Sequence, residues 1–328
     1  MPLASQTRRG LLVAALALAA SAPALAQPAW PTRPVTIIVP FAAGGSTDVV
    51  ARMVGEKLSA IWGQNVVVDN RAGAGGNIGA AAAAKAADGH TLLMASGSIF
   101  TVNPHLYASL PFDPKKDFVA ITNVATGPMV VAVPPNSDVR DLRGLIAKAR
   151  ANPGKVNFGS AGQGSQVHMA AERLAFTTGI DITHIPYKGE SAALNDVMAG
   201  QIDLIVGNIG AATPLVTGGK LRALAVTSAE RAKMLPDVPT VAEALQMPSF
   251  VSTPLWYGFV ARAGTPPEAI ARLESEIRRA AQTTEVRERL VGLGAQLVEI
   301  GNDEFAGQLR AEFEKATRLA RELGIRND

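Results

Sequence analysis

The stretch Val35-Thr36-Ile37-Ile38-Val39-Pro40-Phe41-Ala42-Ala43-Gly44-Gly45-Ser46-Thr47-Asp48 constrains the fold more than any other, because it joins a short β-branched run to a glycine-rich turn and a helix start. The run after Arg33-Pro34 reads as a buried strand. Val50, Met53, Val54, Leu58 and Ile61 fall on one helical face, with Ser46 or Thr47 placed to cap the helix and Gly63 to end it. A helix start carries unpaired backbone N–H groups and the positive end of the peptide dipole, so the loop before it suits an anion. A plain strand-to-helix connection that binds nothing has the same local form. What favours a binding loop is that the rest of the chain repeats the arrangement.

Val66-Val67-Val68 is a second strand, followed by the glycine-rich loop Asn70–Gly79 and an alanine-rich helix that closes at Asp88-Gly89. Thr91–Ala95 is a third, followed by the polar loop Ser96-Gly97-Ser98. Such alternation predicts a parallel sheet with its ligand loops at the carboxyl ends of the strands. Proline-rich Leu110–Pro114 leads into Phe118–Val133, an apolar run interrupted at Gly127-Pro128 and expected to cross between lobes. A second cycle follows: a helix from about Asp138 to Ala151, the strand Val156-Asn157-Phe158, the loop Gly159–Ser165 and a helix from near Gln166. Strand His184–Tyr187 then meets Lys188-Gly189-Glu190-Ser191, and Asp203–Val206 meets Gly207-Asn208. After the strand Leu221–Thr227 and the proline-punctuated stretch Pro236–Pro254, Trp256–Val260 is expected as the return crossing. From Pro266 come two amphipathic helices, a short strand Gln296–Ile300 and a last helix capped by Asn302 or Asp303. The prediction is an α/β chain of two lobes, residues 30–128 with 255–328 and residues 129–254, whose two crossings leave a cleft that can close on a ligand.

Residues 1–26 stand outside both lobes. Arg8-Arg9 precede an apolar run from Leu11 to Ala20, and Ala24-Leu25-Ala26 has the form of a cleavage site, so a secretory signal peptide cleaved after Ala26 is expected. The run is shorter than the ~20 residues a membrane span needs. Thr7–Leu12 partly resembles a twin-arginine signal, which leaves the export route open. Processing would remove two of 31 basic residues and none of 28 acidic ones, so the exported chain is nearly neutral. Its basic clusters are scattered over the last two helices without interleaved aromatics, which sets a nucleic-acid partner aside. With no cysteine there is no disulfide and no thiolate metal site.

Catalytic signatures are incomplete. Gly44-Gly45-Ser46-Thr47 lacks the lysine of a phosphate-binding loop, and Gly73–Ile78 ends in isoleucine where a dinucleotide fingerprint has glycine. Ser160 and Ser165 have Phe158 and Gln163 where a nucleophile elbow has glycine. His168, three residues after Ser165, is a candidate base with no acid visibly placed to orient it. His90, His105 and His184 show no metal-ligand spacing. Lys188 offers a charge to an anion, and Asp48 and Asp203 either meet a ligand amine or fix loop backbone. The expected ligand-binding set is Phe41, Ala42, Ala43, Gly44, Gly45, Ser46, Thr47, Asp48, Ser96, Ser98, Ser160, Gly164, Ser165, His168, Tyr187, Lys188, Gly189, Asp203 and Asn208, with no metal and no cofactor.

Trp30–Pro34, Pro40–Asp48, Asn70–Gly79, Phe158–His168, His184–Gly189, Leu221–Ser228, Leu235–Glu243 and Trp256–Pro266 together resemble the Bug-type extracytoplasmic solute receptors, the binding proteins of tripartite tricarboxylate transporters. The resemblance covers essentially the whole exported chain. It implies a type II periplasmic-binding-protein fold and a small organic acid held in the cleft, one carboxylate meeting backbone and water at the first loop. It also implies a monomer in the periplasm whose partners are the transporter's membrane subunits. Ala72 and Ala120 stand where the family usually has proline, which bears on the shape of the second loop. Two other classes compete: an exported hydrolase using Ser165 and His168, and a receptor that presents its ligand to a signalling protein.

Overall fold

The structure is a computed structural model that describes residues 30–248, 250 and 255–322. The expected signal peptide and its cleavage site lie outside the described residues.

Eleven strands among them form two sheets. The first contains β1 (Val35–Val39), β2 (Val66–Asn70), β3 (Thr91–Ala95), β4 (Phe118–Gly127), β10 (Leu255–Arg262) and β11 (Gln296–Ile300), in the order β11-β4-β10-β3-β1-β2. The second contains β5 (Met129–Val133), β6 (Asn157–Ser160), β7 (Thr183–Pro186), β8 (Leu204–Asn208) and β9 (Arg222–Val226), in the order β7-β6-β8-β5-β9. In each, a parallel trio (β2-β1-β3 and β7-β6-β8) is followed by an antiparallel strand, β10 or β5. The repeat legible in the sequence is therefore a repeat of sheet topology, and the loops after β1, β3, β6, β7 and β8 all leave from carboxyl ends.

Local chemistry accounts for the first element. In β1, Val35, Ile37, Ile38 and Val39 are buried, as a strand covered on both faces requires. Helix α1 (Ser46–Trp62) buries Val50, Met53, Val54 and Leu58 against the sheet and ends at Gly63, whose left-handed backbone lets its N–H return to Ser59 O at 3.0 Å. Its start differs from expectation. Gly45 is the cap, no side chain caps the helix, and Ser46 and Thr47 are its first two residues. Their hydroxyls are thereby released from a capping role.

Of the two expected crossings, the first is found and the second is corrected. Phe118–Val133 divides at Gly127-Pro128 into β4 of the first sheet and β5 of the second, because the proline breaks the ladder and the chain changes sheets there. Trp256–Val260 is no crossing. It lies within β10, antiparallel between β3 and β4, with Trp256, Tyr257, Phe259 and Val260 buried. The chain reaches β10 through residues 251–254, outside the described residues. Pro236–Pro254 also holds a short helix, α9 (Val241–Leu245), begun by a capping box in which Thr240 and Glu243 exchange hydrogen bonds.

The remaining helices are α2 (Asn77–Lys85), α3 (Gly97–Thr101), α4 (Asn103–Leu106), α5 (Leu142–Ala151), α6 (Gln166–Thr178), α7 (Glu190–Met198), α8 (Ile209–Thr217), α10 (Pro267–Ala281), α11 (Thr284–Gly292) and α12 (Asn302–Glu322). Helix α5 starts later than Asp138 because Asp141 is its cap, accepting the Gly144 N–H at 2.7 Å. Asn302 is the first residue of α12, and its side chain donates to Ala120 O. That helix docks through Phe305, which is fully buried edge-on to Trp256 and over Gly258, where a Cβ would lie 2.3 Å from its ring.

Candidate functional site

The carboxyl ends of the two parallel trios face a common cavity of about 30 Å³. From the first sheet's side it is lined by Phe41, Gly45, Ser46, Thr47, Ser96 and Leu255, and from the second by Ala161, Ser165, Gln166, Val167, Glu190 and Asn208. Four helices of nine residues or more start on it: α1 at Gly45-Ser46, α6 at Ser165-Gln166, α7 at Glu190 and α8 at Asn208. Each contributes first-turn N–H groups that have no partner inside the helix, together with the positive end of its dipole. The lining is therefore rich in donors although it contains no lysine or arginine.

Glycine permits the two sides to approach this closely. A Cβ on Gly189 would lie 2.5 Å from Ala42 Cβ, and one on Gly164 2.3 Å from Asn103 Oδ1. Tyr107 Oη donates to Gln163 O at 2.8 Å and Ser191 Oγ to Ala43 O at 3.2 Å, so hydrogen bonds tie the rims together. Space of this size holds one or two waters.

Of the expected ligand residues, Phe41, Gly45, Ser46, Thr47, Ser96, Ser165 and Asn208 line the cavity. Ala42, Ala43 and Gly189 form its rim through the contacts just described, and Gly44 gives its N–H to Asp48 Oδ2 at 3.0 Å. Asp48 itself is turned inward. Burial works against its charge, but Arg52, the Gly44 N–H and Asn70 outweigh that and hold its carboxyl below the usual range. It shapes the first loop. Ser98 is buried behind Ser96, with their hydroxyls 3.4 Å apart. Tyr187 directs its hydroxyl to Asp196 Oδ2 at 2.6 Å, and burial, then Asp196, pushes the phenol up to about 12. Lys188 is exposed on the rim.

Asp203 is corrected as a ligand residue and keeps the other role expected of it, fixing backbone. It precedes β8 at the amino end of that strand, accepts the Asn157 N–H at 2.8 Å and lies 3.8 Å from Lys148, at the edge of the sheet away from the cavity. Asn208, at the other end of the same strand, is the residue that reaches it.

Behind the second loop, Phe158, His184 and His168 stack, the two imidazoles with centroids 3.9 Å apart. Ser160 Oγ meets His184 Nε2 at 2.6 Å, and His168 Nδ1 accepts the Gly164 N–H at 3.0 Å. Ser165 Oγ caps α6 by accepting the backbone N–H of His168 at 3.3 Å, so this serine and histidine meet through a cap and not through the imidazole. Ser160, Gly164 and His168 brace the loop. A base for Ser165 is not formed, since Nδ1 is committed to Gly164 and Nε2 lies 3.4 Å from Glu172.

Sequence reasoning missed Gln166, Val167 and Glu190, and with them Ala161 and Leu255. The first two occupy the places in α6 that Ser46 and Thr47 occupy in α1, so mapping the second cycle onto the first would have found them. In the sequence Glu190 is one residue of the polar stretch Lys188–Ser191, with nothing to mark it. In the structure it is 4% exposed, its Oε1 and Oε2 accept the N–H and Nδ2 of Asn208 at 2.5 Å each, and burial pushes its carboxyl up to about 7.

Residues 50–325 match the family described as tripartite tricarboxylate transporter family receptor. The protein BugT of Bordetella pertussis is 39% identical over 319 residues, which cover 97% of this chain and 96% of BugT. Among solved structures, an R. palustris protein with adipate superposes with a TM-score of 0.85 at 34% identity, covering 90% of this chain and 99% of that one. MatC from Rhodopseudomonas palustris with bound malate gives a TM-score of 0.84 at 31% identity, covering 89% and 100%.

Proposed function

The chain belongs to the tripartite tricarboxylate transporter receptor family, and we propose that it is an exported, non-catalytic binding protein that captures a small carboxylate between two lobes and hands it to the membrane subunits of such a transporter. The lobes are residues 30–128 with 255–328, and residues 129–254. The observation that carries this reading is the convergence of four helix starts on one cavity without a basic side chain. Hydrogen bonds to a charged group are worth ~1.5–3 kcal/mol each and a well-placed helix end up to ~2 kcal/mol, so four donors at the strong end of that range with two helix ends give ~16 kcal/mol, against the ~8 kcal/mol of a micromolar complex and an association cost of ~4 kcal/mol or more. The adipate and malate bound by two relatives support an organic acid as ligand. Among the described residues no helix is long and apolar enough to cross a membrane.

A thermal-shift panel of di-, tri- and aromatic carboxylates tests the proposal. A ligand at 100 times its dissociation constant adds ~2.7 kcal/mol, and each kcal/mol moves the midpoint by roughly 2–4 °C. If no carboxylate in the panel moves the midpoint, the anion reading is wrong. Product analysis of the same incubations should find the acid unchanged.

A further inference from the structure

We propose that the ligand carries a protonated amine beside its carboxylate, and that Glu190, Asn208 Oδ1 and Ser46 Oγ hold that amine. The inference rests on the carboxylate-receptor reading above and narrows its ligand class.

All three residues line the cavity, and Glu190, Asn208 and Ser46 are 4%, 6% and 3% exposed. Asn208 Oδ1 is buried without a hydrogen-bond partner, and Ser46 Oγ, equally buried, has the Tyr257 hydroxyl beside it. The identity of the Asn208 acceptor follows from its neighbour: Nδ2 donates to Glu190 Oε2, and exchanging the amide atoms would set oxygen against oxygen. Buried acceptors left open are costly, and in a binding site their complement is a donor on the ligand.

Glu190 supplies the charge. Each of its oxygens accepts one bond from Asn208 and keeps a further lone pair. Among the described residues no lysine, arginine or histidine pairs with it, and its raised carboxyl has burial as the leading cause. Tyr257, whose phenol burial also pushes up, is another neutral neighbour. The cavity is thus bipolar. Helix starts α1 and α6 offer N–H donors to a carboxylate, while Glu190, Asn208 and Ser46 offer acceptors. An ammonium has three N–H donors for three such groups and neutralises the one buried charge. A diacid without an amine would instead bring its second carboxylate toward Glu190.

Calorimetry at pH 7.5 on the exported form decides it, with chain-matched pairs: succinate and aspartate, glutarate and glutamate, adipate and 2-aminoadipate, amino acids as both enantiomers, and malate as the hydroxyl analogue. The expected result is at least tenfold tighter binding of the amino acid in one pair, with Glu190→Gln reducing that preference below threefold. Ser46→Ala, which removes an acceptor and no charge, should weaken the preference at least threefold, and serves if Glu190→Gln does not fold. Equal or tighter binding of the plain diacid at every length overturns the proposal and means that water satisfies these acceptors. Tighter binding of malate than of aspartate, or a preference that survives Glu190→Gln, overturns it as well. Failure of every acid to bind would overturn the carboxylate reading itself.

Discussion

Glu190, which is buried, and His184, which is half-buried, load the stability of the protein in opposite directions. Burial raises the carboxyl of Glu190 to about 7 from an ordinary 4.5, so between these values the folded chain holds a proton that the unfolded chain has released. Its effect is a loss of stability as pH rises from 4.5 to 7, on the order of 3 kcal/mol from a shift of this size. Burial, followed by the charge of His168 and against that of Glu172, lowers His184 to about 4 from 6.5. Here the unfolded chain takes up the proton first, so stability falls as pH drops from 6.5 toward 4. Urea unfolding from pH 4.5 to 8 should show Glu190→Gln gaining on the parent protein as pH rises. His184→Phe, which keeps the stack on Phe158, should gain on it as pH falls. A constant difference across pH in either variant would remove the titration from the account.

At the level of single elements, α12 and α9 show two different kinds of anchoring. Helix α12 is held by Phe305, which is fully buried beneath it against Trp256 and Gly258. Truncating a buried aromatic ring removes its transfer energy and leaves a cavity, so Phe305→Ala should cost about 3–5 kcal/mol in denaturant unfolding. Helix α9 is short and depends on its capping box. Thr240→Ala leaves the Glu243 N–H without its partner and should cost about 1 kcal/mol. Because Thr240 lies outside the cavity, its ligand affinity should equal that of the parent protein, and calorimetry on the folded variant checks this.

For the whole molecule the decisive contacts are those across the cleft. Gly189 has extended backbone, with φ −177°, so alanine is tolerated locally, yet its Cβ would meet Ala42 Cβ at 2.5 Å and Ala42 N at 2.9 Å. Gly189→Ala should therefore hold the two sides apart. Its expected signature is an unchanged unfolding transition, at least tenfold weaker ligand binding and a larger radius of gyration by X-ray scattering with ligand present. Lys188→Ala, at an exposed rim position, should bind within about threefold of the parent protein if helix N–H groups and not an ion pair hold the anion. Processing is a prediction at this scale too: periplasmic protein should begin at Gln27 by intact mass, and a mass that retains residues 1–26 would refute the signal peptide.

The repeated strand, glycine turn and helix start from Val35 to Asp48 and from Asn157 to Gln166 were legible because each is written in local chemistry: β-branched runs make strands, glycines make turns, and apolar residues at helical spacing make helices. That was enough for the α/β class, the two sheets and much of the lining, including Phe41, Gly45–Thr47, Ser96, Ser165 and Asn208. The rule that ligand loops leave the carboxyl ends of parallel strands separates Asn208, at the end of its strand, from Asp203, at the beginning, and only Asn208 reaches the cavity. Sequence spacing does not carry burial. Trp256–Val260 reads as a connection but is a central strand, because partners more than a hundred residues away in the chain pair with it on both sides. Glu190 stands in the polar stretch Lys188–Ser191 but is buried, with both carboxylate oxygens held by Asn208. Long-range packing alone turns that polar loop residue into the one buried charge of the cavity, since desolvation depends on neighbours brought together by the fold and not on neighbours in the chain.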